Sequence, residues 1–387
     1  MKVALNPMVL TVLFVTQCPP YPLNGGERIR CYNLIESLAM NLNVVVLAPR
    51  PAVDCELSYK ISAWYGFPKP PKLPMNIGSV SYYSLVLSSA LVRCLETVCQ
   101  KHKPHVVWFD YGLWGLYSPV VRRFGVRTIM GTHNVESNLT KQRLNSKPLS
   151  LGYLRLCAYY QAQRWHESHL FSRFDRIISV SERDRQYHAQ WVGDSKSKLV
   201  PNYINEKWYK SSDKLINLVP CKYQKVVITA NFYADPNKLG TEWFLKKVWS
   251  LICQQFPNVH LNLVGRFAEN IFIRMDKPTN VNCIGEVPSV VPYLKQARVA
   301  VVPILHGSGT RFKILEALAC GIPVVSTTIG AEGIDVVSGE SILLADSANE
   351  FARSVVELLK DDVKHRKLSE NGLVVLKREY GFERNTD

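Results

Sequence analysis

Residues 307–333 read GSGTRFKILEALACGIPVVSTTIGAEG, and this stretch decides the fold class. Gly307 and Gly309 let the backbone pass close to a ligand, and the helix predicted after them presents free N–H groups and the positive end of its dipole. The apolar run PVVS at 323–326 follows that helix directly and predicts a buried strand. A glycine loop that opens a helix beside a buried strand is where open α/β sheets bind anionic ligands.

Two cations and a carboxylate lie at the start of the same helix. On a helical wheel the apolar side chains share one buried face, whereas Lys313 and Glu316 share another, so Glu316 is expected to point away from the core. An exposed i,i+3 surface pair of these two residues, worth about 0.2–0.5 kcal/mol, is the plain alternative. Arg311 adds a second cation beside the glycine loop, which favours a binding site for a nucleotide-linked substrate.

This segment resembles the donor-site signature of the retaining group 1 glycosyltransferases, also called glycosyltransferase family 4, and is closest to the branch that reads G-S-G-T-R-x-K. The resemblance implies the α/β fold called GT-B, in which two Rossmann-like parallel-sheet domains face each other across a cleft. It also implies that Glu316 holds the nucleotide ribose and that Arg311 and Lys313 supply charge to the diphosphate. The donor-binding loop that it implies consists of Gly307, Ser308, Gly309 and Thr310.

Two departures from the family pattern bear on the donor site. The common pattern has two glutamates with seven residues between them, and Ser308 stands at the first position, which leaves its contact with the donor sugar open. Many relatives carry an arginine and a lysine after the first strand of the second domain, but residues 231–237 hold no cation. Because a buried diphosphate without positive partners is strongly disfavoured, Arg311 and Lys313 become more necessary, and Arg266 is a reserve candidate.

The length and the order of elements predict two domains. A chain of 387 residues is too long for one typical core. Strand and helix patterns alternate in both halves, which predicts two parallel sheets. The predicted strands span residues 8–15, 43–47, 105–109, 127–130, 176–180, 225–230, 259–264, 281–284 and 299–304. We predict an acceptor-side domain at 1–204, a linker at 205–224 and a donor-binding domain at 225–364, and the resemblance implies that a tail from about 365 to 387 packs back on the first domain.

His133 is the residue that the first domain is predicted to contribute to catalysis. It lies in the segment GTHNVE at 131–136, just past the carboxyl end of the predicted strand 127–130, where α/β sheets place ligand groups. A lone histidine is more often structural, but this position favours a site role. The resemblance implies a histidine at a comparable place, near the donor sugar and the acceptor.

The pair Gly25 and Gly26 precedes the first predicted helix. The G-x-G-x-x-G spacing of a dinucleotide-binding turn is missing, and the second strand ends in Pro49 and Arg50 where an acidic ribose ligand would be expected, which argues against an NAD enzyme. The resemblance implies that a glycine pair here lines the cleft facing the donor. A tight turn alone is the alternative.

The sequence predicts no cofactor and no metal, with the nucleotide sugar acting as a substrate. It lacks a D-x-D triplet, the metal motif expected of the other main glycosyltransferase fold. Ten scattered cysteines without a C-x-x-C pair are typical of reduced core residues in a cytoplasmic protein. No run approaches the roughly 18 apolar residues that span a bilayer, and we interpret the run at 8–15 as the first strand rather than a signal peptide.

The net charge of +15 raises two further hypotheses about partners. Residues 141–185 combine an excess of basic residues with several tyrosines and Trp165. No nucleic-acid-binding motif accompanies them, so we expect no nucleic-acid partner, although a basic nucleic-acid-binding protein is the alternative from another functional class. A basic, aromatic surface also fits an anionic membrane at the inner leaflet, and a merely solvated basic face is the plain alternative.

The resemblance and these patterns predict a cytoplasmic, peripheral membrane enzyme of cell-surface polysaccharide or glycolipid synthesis. It would move a sugar from a nucleotide diphosphate sugar to a hydroxyl of a lipid-linked or oligosaccharide acceptor, with retained anomeric configuration. Arg311, Lys313 and the helix N-terminus would stabilise charge on the departing diphosphate. A nucleotide-sugar epimerase, which consumes the donor without an acceptor, is the second enzyme alternative.

Overall fold

The computed structural model describes residues 9–23, 25–49, 55–67, 87–145, 149–205, 208–209, 224–307 and 311–383. The chain divides into two units, one formed by Met1–Pro22 with Glu27–Pro201 and the other by Leu23–Gly26 with Asn202–Asp387. Each unit has one parallel sheet with helices packed against it, which confirms the predicted α/β class and the two Rossmann-like domains. The predicted linker at 205–224 falls mostly outside the described residues.

The described part of the first unit contains a parallel sheet of seven strands. They are β1 (Thr11–Thr16), β2 (Asn43–Ala48), β3 (Ala63–Gly66), β4 (Val106–Asp110), β5 (Arg127–Gly131), β6 (Arg176–Ser179) and β7 (Ser197–Leu199), in the spatial order β3-β2-β1-β4-β5-β6-β7. The central strands are buried runs of valine, leucine and phenylalanine, as expected when helices cover both faces of a parallel sheet. The order reverses between β1 and β4, and open α/β sheets bind ligands at the carboxyl ends of such a pair.

Several of the helices that connect these strands begin at serine caps. The described α-helices of this unit are α1 (Gly26–Ala39), α2 (Ser89–His102), α3 (Ser118–Arg122), α4 (Glu136–Asn145), α5 (Leu151–Trp165) and α6 (Glu182–Val192). Ser150 caps α5 and Ser181 caps α6, each accepting a backbone N–H at 3.2 Å. Such a bond satisfies one of the first N–H groups of a helix, which have no partner within the helix itself.

The described part of the second unit contains a parallel sheet of six strands. They are β8 (Lys225–Thr229), β9 (His260–Val264), β10 (Val281–Gly285), β11 (Val299–Val302), β12 (Val324–Ser326) and β13 (Leu343–Leu344), in the spatial order β10-β9-β8-β11-β12-β13. Here the order reverses between β8 and β11. The loops that follow these two strands therefore lie at the ligand-binding edge of this sheet.

The described part of the second unit contains the helices α7 (Asp235–Trp243), α8 (Ser250–Gln255), α9 (Val291–Lys295), α10 (Phe312–Ala319), α11 (Ala348–Lys360) and α12 (Asp362–Tyr380). A π-helical segment, Phe244–Trp249, joins α7 to α8 without a break. The ring of Phe244 packs edge-on against Phe351 of α11 with centroids 5.7 Å apart, within the core between the sheet and these helices. Burial of such aromatic side chains is a main source of stability for the unit.

Gly240 brings α7 close to the carboxyl end of β11. A Cβ at this position would collide with the backbone carbonyl of Pro303, so glycine alone permits the approach. The start of α7 is thereby held against the loop that follows β11. This contact places the first turn of α7 beside α10.

The C-terminal helix α12 clusters with the second unit. The packing of the tail from about residue 365 on the predicted domain 1–204 stays a prediction. Leu368 joins the core of the second unit, and Gly372 lies so close to Leu318 of α10 that a Cβ would be 2.6 Å from its Cδ2. The apolar face of α12 therefore finds its partners on α10, because glycine removes the side chain that would separate the two helices.

Candidate functional site

Gly307 and Arg311, which flank the undescribed part of the predicted donor loop, lie at the ligand-binding edge of the second unit. Arg311 is the N-cap of α10, with an extended backbone (φ −91°, ψ 94°). Gly307 has φ +128°, and a Cβ there would lie 2.8 Å from Nη2 of Arg311. Glycine therefore provides both the left-handed backbone and the space that the guanidinium occupies. Ser308, Gly309 and Thr310 lie outside the described residues.

Lys313 is held by an amide from the first turn of α7. Its Nζ donates to Oδ1 of Asn237 at 2.7 Å, and Nδ2 of Asn237 donates to the backbone carbonyl of Asn231 at 2.9 Å. The second bond orients the amide so that its oxygen faces the lysine. Burial and the neighbouring charge of Arg311 lower the pKa of Lys313 to about 7, although Glu316 acts in the opposite direction.

Glu316 lies one turn further along α10 and is half-buried rather than solvent-exposed. Oη of Tyr209 donates to its Oε1 at 3.4 Å. Burial raises the pKa of Glu316 to about 7, while the Tyr209 bond and the charge of Lys313 act to lower it. Within the described residues no ion pair joins Lys313 to Glu316, so the exposed surface pair considered from the sequence is not what the structure shows.

Arg311 places a second cation beside Lys313. Its side chain is half-buried, and burial lowers its pKa to about 10, so it stays charged at neutral pH. Two basic groups close together at the start of a helix, each partly removed from water, raise the free energy of the ligand-free site. An anion with several oxygens would lower this free energy by forming charge-assisted hydrogen bonds with both cations.

Arg266, the reserve candidate, follows β9 and is paired with another residue. Its Nη2 lies 2.7 Å from Oε1 of Glu286, and its Nε donates to the same oxygen at 2.8 Å. About a third of the Arg266 side chain and half of the Glu286 side chain are exposed, with values of 36% and 50%. A solvent-exposed ion pair of this kind contributes little to stability, and it occupies the guanidinium.

His133 lies in the first unit, two residues beyond the end of β5. Its Nε2 is 2.7 Å from Oδ2 of Asp110, the fully buried last residue of β4, and the ring of Tyr111 meets the imidazole edge-on at 4.9 Å. Burial acts to raise the pKa of Asp110, but the charge and hydrogen bond of His133, together with the charge of Arg30 and the hydrogen bond from Cys31, outweigh burial and hold that pKa below its usual value. Asp110 is therefore ionised at neutral pH.

Cys31 of α1 completes a group of potential metal ligands with Asp110 and His133. The three ligand atoms lie within 4.8 Å of one another. Sγ of Cys31 donates to Oδ2 of Asp110 at 3.2 Å, and burial raises the pKa of this thiol well above its usual value. Two ligands about 2.0–2.1 Å from a tetrahedral zinc ion lie roughly 3.3 Å apart, whereas the His133–Asp110 distance is 2.7 Å. The spacing fits a hydrogen-bonded trio better than a metal centre.

The glycine pair lies at the N-terminus of α1. Gly25 directly precedes the helix and Gly26 is its first residue. Both belong to the short segment Leu23–Gly26 that clusters with the second unit. Their role in lining a cleft stays a prediction.

Sequence reasoning missed three residues that hold the predicted side chains in place. Asp110 had a signal, because an acidic residue that ends an apolar strand lies at the ligand-binding edge of the sheet. Asn237 lies in the segment 231–237, where no site residue was predicted because the segment holds no cation. Tyr209 lies in the predicted linker, where no pattern pointed to Glu316.

Two family models match the chain. The model described as Glycosyltransferase Family 4 matches residues 24–208, and the model described as Glycosyl transferases group 1 matches residues 223–361. Together they span most of the chain. The gap between them, 209–222, falls inside the predicted linker.

Two relatives resemble the chain in sequence. An uncharacterised 44.6 kDa protein in the cps region of Klebsiella pneumoniae is 23% identical over 264 residues, covering 65% of this chain and 64% of that protein. The match thus spans slightly less than two thirds of this relative. A phosphatidyl-myo-inositol mannosyltransferase of Mycobacterium leprae is 25% identical over 389 residues, covering 93% and 91%.

Solved structures share the fold. Sucrose-phosphate synthase from Thermosynechococcus elongatus superposes with a TM-score of 0.71 at 18% identity, covering 97% of this chain and 96% of that chain. The Anabaena protein HepE in complex with UDP-glucose superposes with a TM-score of 0.66 at 16% identity, covering 97% of both chains. At these identities the likeness shows the fold.

Proposed function

The chain belongs to the group 1 glycosyltransferases and has their GT-B fold, and on this premise we propose that it transfers a sugar from a nucleotide diphosphate donor to an acceptor hydroxyl with retained anomeric configuration. One observation carries the proposal. Arg311 and Lys313 stand together at the start of α10, at the ligand-binding edge of the second sheet, and burial lowers the pKa of both. Cations fixed in such a place stabilise the charge that develops on a departing diphosphate.

The roles of the donor-side residues follow from their contacts. Asn237 holds the Lys313 ammonium in place, so little reorganisation is needed when the diphosphate oxygens gain charge. Tyr209 engages Oε1 of Glu316, and the carboxylate would accept a hydrogen bond from a ribose hydroxyl. The loop 307–310 would supply backbone amides, and His133 would contact the sugar or the acceptor. The proposal needs no cofactor and no metal, since the two cations serve the leaving group.

The relatives suggest which donors and acceptors to test first. HepE was crystallised with UDP-glucose, which supports UDP-hexoses as the first donors. The Mycobacterium leprae relative is a phosphatidyl-myo-inositol mannosyltransferase, and the Klebsiella pneumoniae relative lies in a cps region. These descriptions support a lipid-linked or oligosaccharide acceptor and a role in cell-surface polysaccharide or glycolipid synthesis.

Helix α5 supports an acceptor presented at a membrane surface. Leu151, Leu154 and Trp165 expose 76%, 63% and 53% of their surface, and Gln163 is the one buried residue among those of this helix. The three apolar side chains share one stripe of the helix, with Arg155 at its edge. An exposed apolar stripe on a basic protein fits the interface of an anionic bilayer. None of the described helices is long and apolar enough to cross one.

Release of nucleoside diphosphate tests the transfer reaction. We would incubate the protein with UDP-, GDP- and ADP-hexoses, with and without lipid-linked and oligosaccharide acceptors, and follow nucleotide release and the anomeric configuration of the product. Acceptor-dependent release with a retained anomer is expected. Isomerisation of the donor without an acceptor would indicate the epimerase instead, and an inverted anomer would refute retention.

Liposome flotation tests the membrane proposal. Binding should require anionic lipid and weaken as salt rises, because exposed charges are screened over about 8–10 Å. Replacing Leu151 and Leu154 by serine should abolish binding without changing nucleotide affinity. The matched control replaces Val363 and Val374, which are 80% and 58% exposed on α12, by serine and should bind like the unmodified protein. Binding that survives loss of both leucines would contradict the role of α5.

A further inference from the structure

The carboxylate of Asp110 is bonded on every side by groups of the first unit. Oδ2 lies 2.7 Å from Nε2 of His133 and accepts from Sγ of Cys31, and Oδ1 accepts from Nε1 of Trp108 at 3.3 Å. The residue is fully buried at the end of β4. A buried carboxylate is costly without such partners, and together they fix its orientation.

The backbone of β5 makes room for this carboxylate. Gly131 pairs with Asp110 across the two parallel strands. A Cβ at Gly131 would collide with Oδ1 of Asp110 and would lie 2.8 Å from Nε1 of Trp108. A glycine at the last position of β5 thus allows the aspartate of one strand to reach the histidine that follows the other.

Tyr111 encloses the imidazole from another direction. Its backbone is left-handed, with φ +52°, a conformation that costs a non-glycine residue about 1 kcal/mol or more. This conformation turns the chain sharply after Asp110 and sets the tyrosine ring edge-on against His133 at 4.9 Å. Strained residues of this kind are concentrated at functional sites. His133 is thereby held by a carboxylate at Nε2 and by a ring beside its plane.

We infer that Asp110 is a positioning residue that fixes the tautomer of His133, with the proton on Nε2 and with Nδ1 as the atom presented to the reacting sugars. An ionised carboxylate only accepts hydrogen bonds, so Nε2 must donate. In the neutral ring Nδ1 then carries the lone pair and accepts from a hydroxyl. Among the described residues Nδ1 of His133 has no hydrogen-bond partner.

This inference rests on the proposed function only for the identity of the hydroxyl that Nδ1 would bind, which would belong to a sugar. A sugar hydroxyl that donates to Nδ1 is oriented by a ring that cannot rotate without breaking the bond to Asp110. Fixed geometry of this kind removes part of the entropic barrier to reaction. We therefore expect loss of Asp110 to reduce turnover more than donor binding.

The tautomer can be measured without any sugar. Two-bond ¹H–¹⁵N correlation spectra of histidine-labelled protein, recorded at increasing pH until the ring is neutral, report which nitrogen carries the proton. The His133→Gln variant identifies the signal among those of the nine histidines. A protonated Nε2 and a bare Nδ1 are expected. A proton on Nδ1 of the neutral ring would overturn the inference, whatever reaction the protein catalyses.

The Asp110→Asn variant tests the consequence for turnover. An amide can donate or accept, so the tautomer preference should weaken, and kcat should fall at least tenfold while KM for the donor changes less than threefold. The matched control is Asp175→Asn, whose carboxylate accepts from the backbone N–H of Thr128 at 2.7 Å and lies near the opposite end of β5. It should leave the His133 spectrum and kcat unchanged.

Two further outcomes separate this inference from neighbouring explanations. A lower melting temperature with unchanged kcat and an unchanged tautomer in Asp110→Asn would show a structural role only and overturn the inference. If this variant does not fold, Cys31→Ala keeps the Asp110–His133 bond and should retain both the tautomer and kcat. Absence of transfer with every donor would instead refute the proposed function, while the tautomer result would stand.

Discussion

Buried charge is stabilised at one of the two ligand-binding edges of this protein and disfavoured at the other. At the end of β4 the Asp110 carboxylate meets an imidazole, and its pKa is held below the usual value. At the start of α10 burial lowers the pKa of Lys313 and of Arg311 and raises that of Glu316, so each charged form is disfavoured. The first edge stabilises its charge with its own side chains. The second edge holds charges that a ligand would stabilise.

This difference indicates which edge depends on the substrate. A paired carboxylate and imidazole are organised before any ligand arrives, as a positioning device requires. Cations whose charge is disfavoured in the free protein gain most from an anion, and the gain is larger when the anion carries the charge of a leaving group. Substitutions on the donor side should therefore change nucleotide affinity and kcat. Substitutions around His133 should change the geometry of its ring.

The largest expected effect comes from removing the cations. Lys313→Ala or Arg311→Ala should lower kcat at saturating donor by roughly 10²–10³, the cost of one electrostatic stabiliser of a transition state. The melting temperature should stay the same or rise, because a partly buried charge is lost. Steady-state kinetics and calorimetry check both, with Lys247→Ala, an exposed lysine of the same unit, as the control. Near-normal kcat in the Arg311→Ala/Lys313→Ala variant would indicate that another cation, such as Arg266, stabilises the diphosphate.

A smaller effect, on nucleotide affinity, is expected from substitution of Glu316. Glu316→Gln keeps the shape of the side chain but removes its charge, and nucleotide binding should weaken by about 1.5–3 kcal/mol, the scale of a charge-assisted hydrogen bond. Titration calorimetry measures the change, and Glu340→Gln, an exposed site in the same unit, should bind normally. Unchanged affinity in Glu316→Gln would refute the ribose assignment.

The smallest expected effect is the uptake of a proton when nucleotide binds beside Lys313. With a pKa of about 7, Lys313 is mostly neutral at pH 8 in the free protein. A bound diphosphate favours the ammonium and raises that pKa, so binding at pH 8 should take up a proton, approaching one per nucleotide. Glu316, whose pKa is also about 7, is already mostly ionised and adds little. Calorimetry in buffers of different ionisation enthalpy measures this proton uptake. The Lys313→Met variant should abolish it. Absence of uptake in the unmodified protein would mean that Lys313 is already charged before the nucleotide binds.

The sequence was sufficient to predict most strands of the two sheets, because these strands are apolar runs between turn residues, whereas the short strands β3 and β13 lie outside the predicted ones. The predicted strand 105–109 differs from β4 by one residue at each end, and the omitted residue at its end is Asp110. Aspartate is unfavourable in strands, so local preference ends the pattern at Phe109. The bond to His133 overrides that preference, and it depends on the pairing of β4 with β5.

The donor helix shows the same limit. Its position and its charged residues follow from local periodicity and from the glycine loop. The partners of those charges do not, since Asn237 is 76 residues from Lys313 and Tyr209 is 107 residues from Glu316 along the chain. The helical wheel predicted an exposed face because it contains no information about the first turn of α7 or the segment at Tyr209. Half-burial, and with it the shifted pKa values, arises only from tertiary packing.

One comparison of affinities tests most directly whether Arg311 and Lys313 hold the diphosphate. Titration calorimetry would measure the binding of a nucleoside diphosphate and its monophosphate, using whichever of the uridine, guanosine and adenosine series binds best, to the unmodified protein and to the Arg311→Ala/Lys313→Ala variant. We predict that the unmodified protein prefers the diphosphate by roughly tenfold or more, the value of one additional charge-assisted contact, and that the double variant loses this preference while it still binds the monophosphate. An equal preference in both proteins would contradict the account.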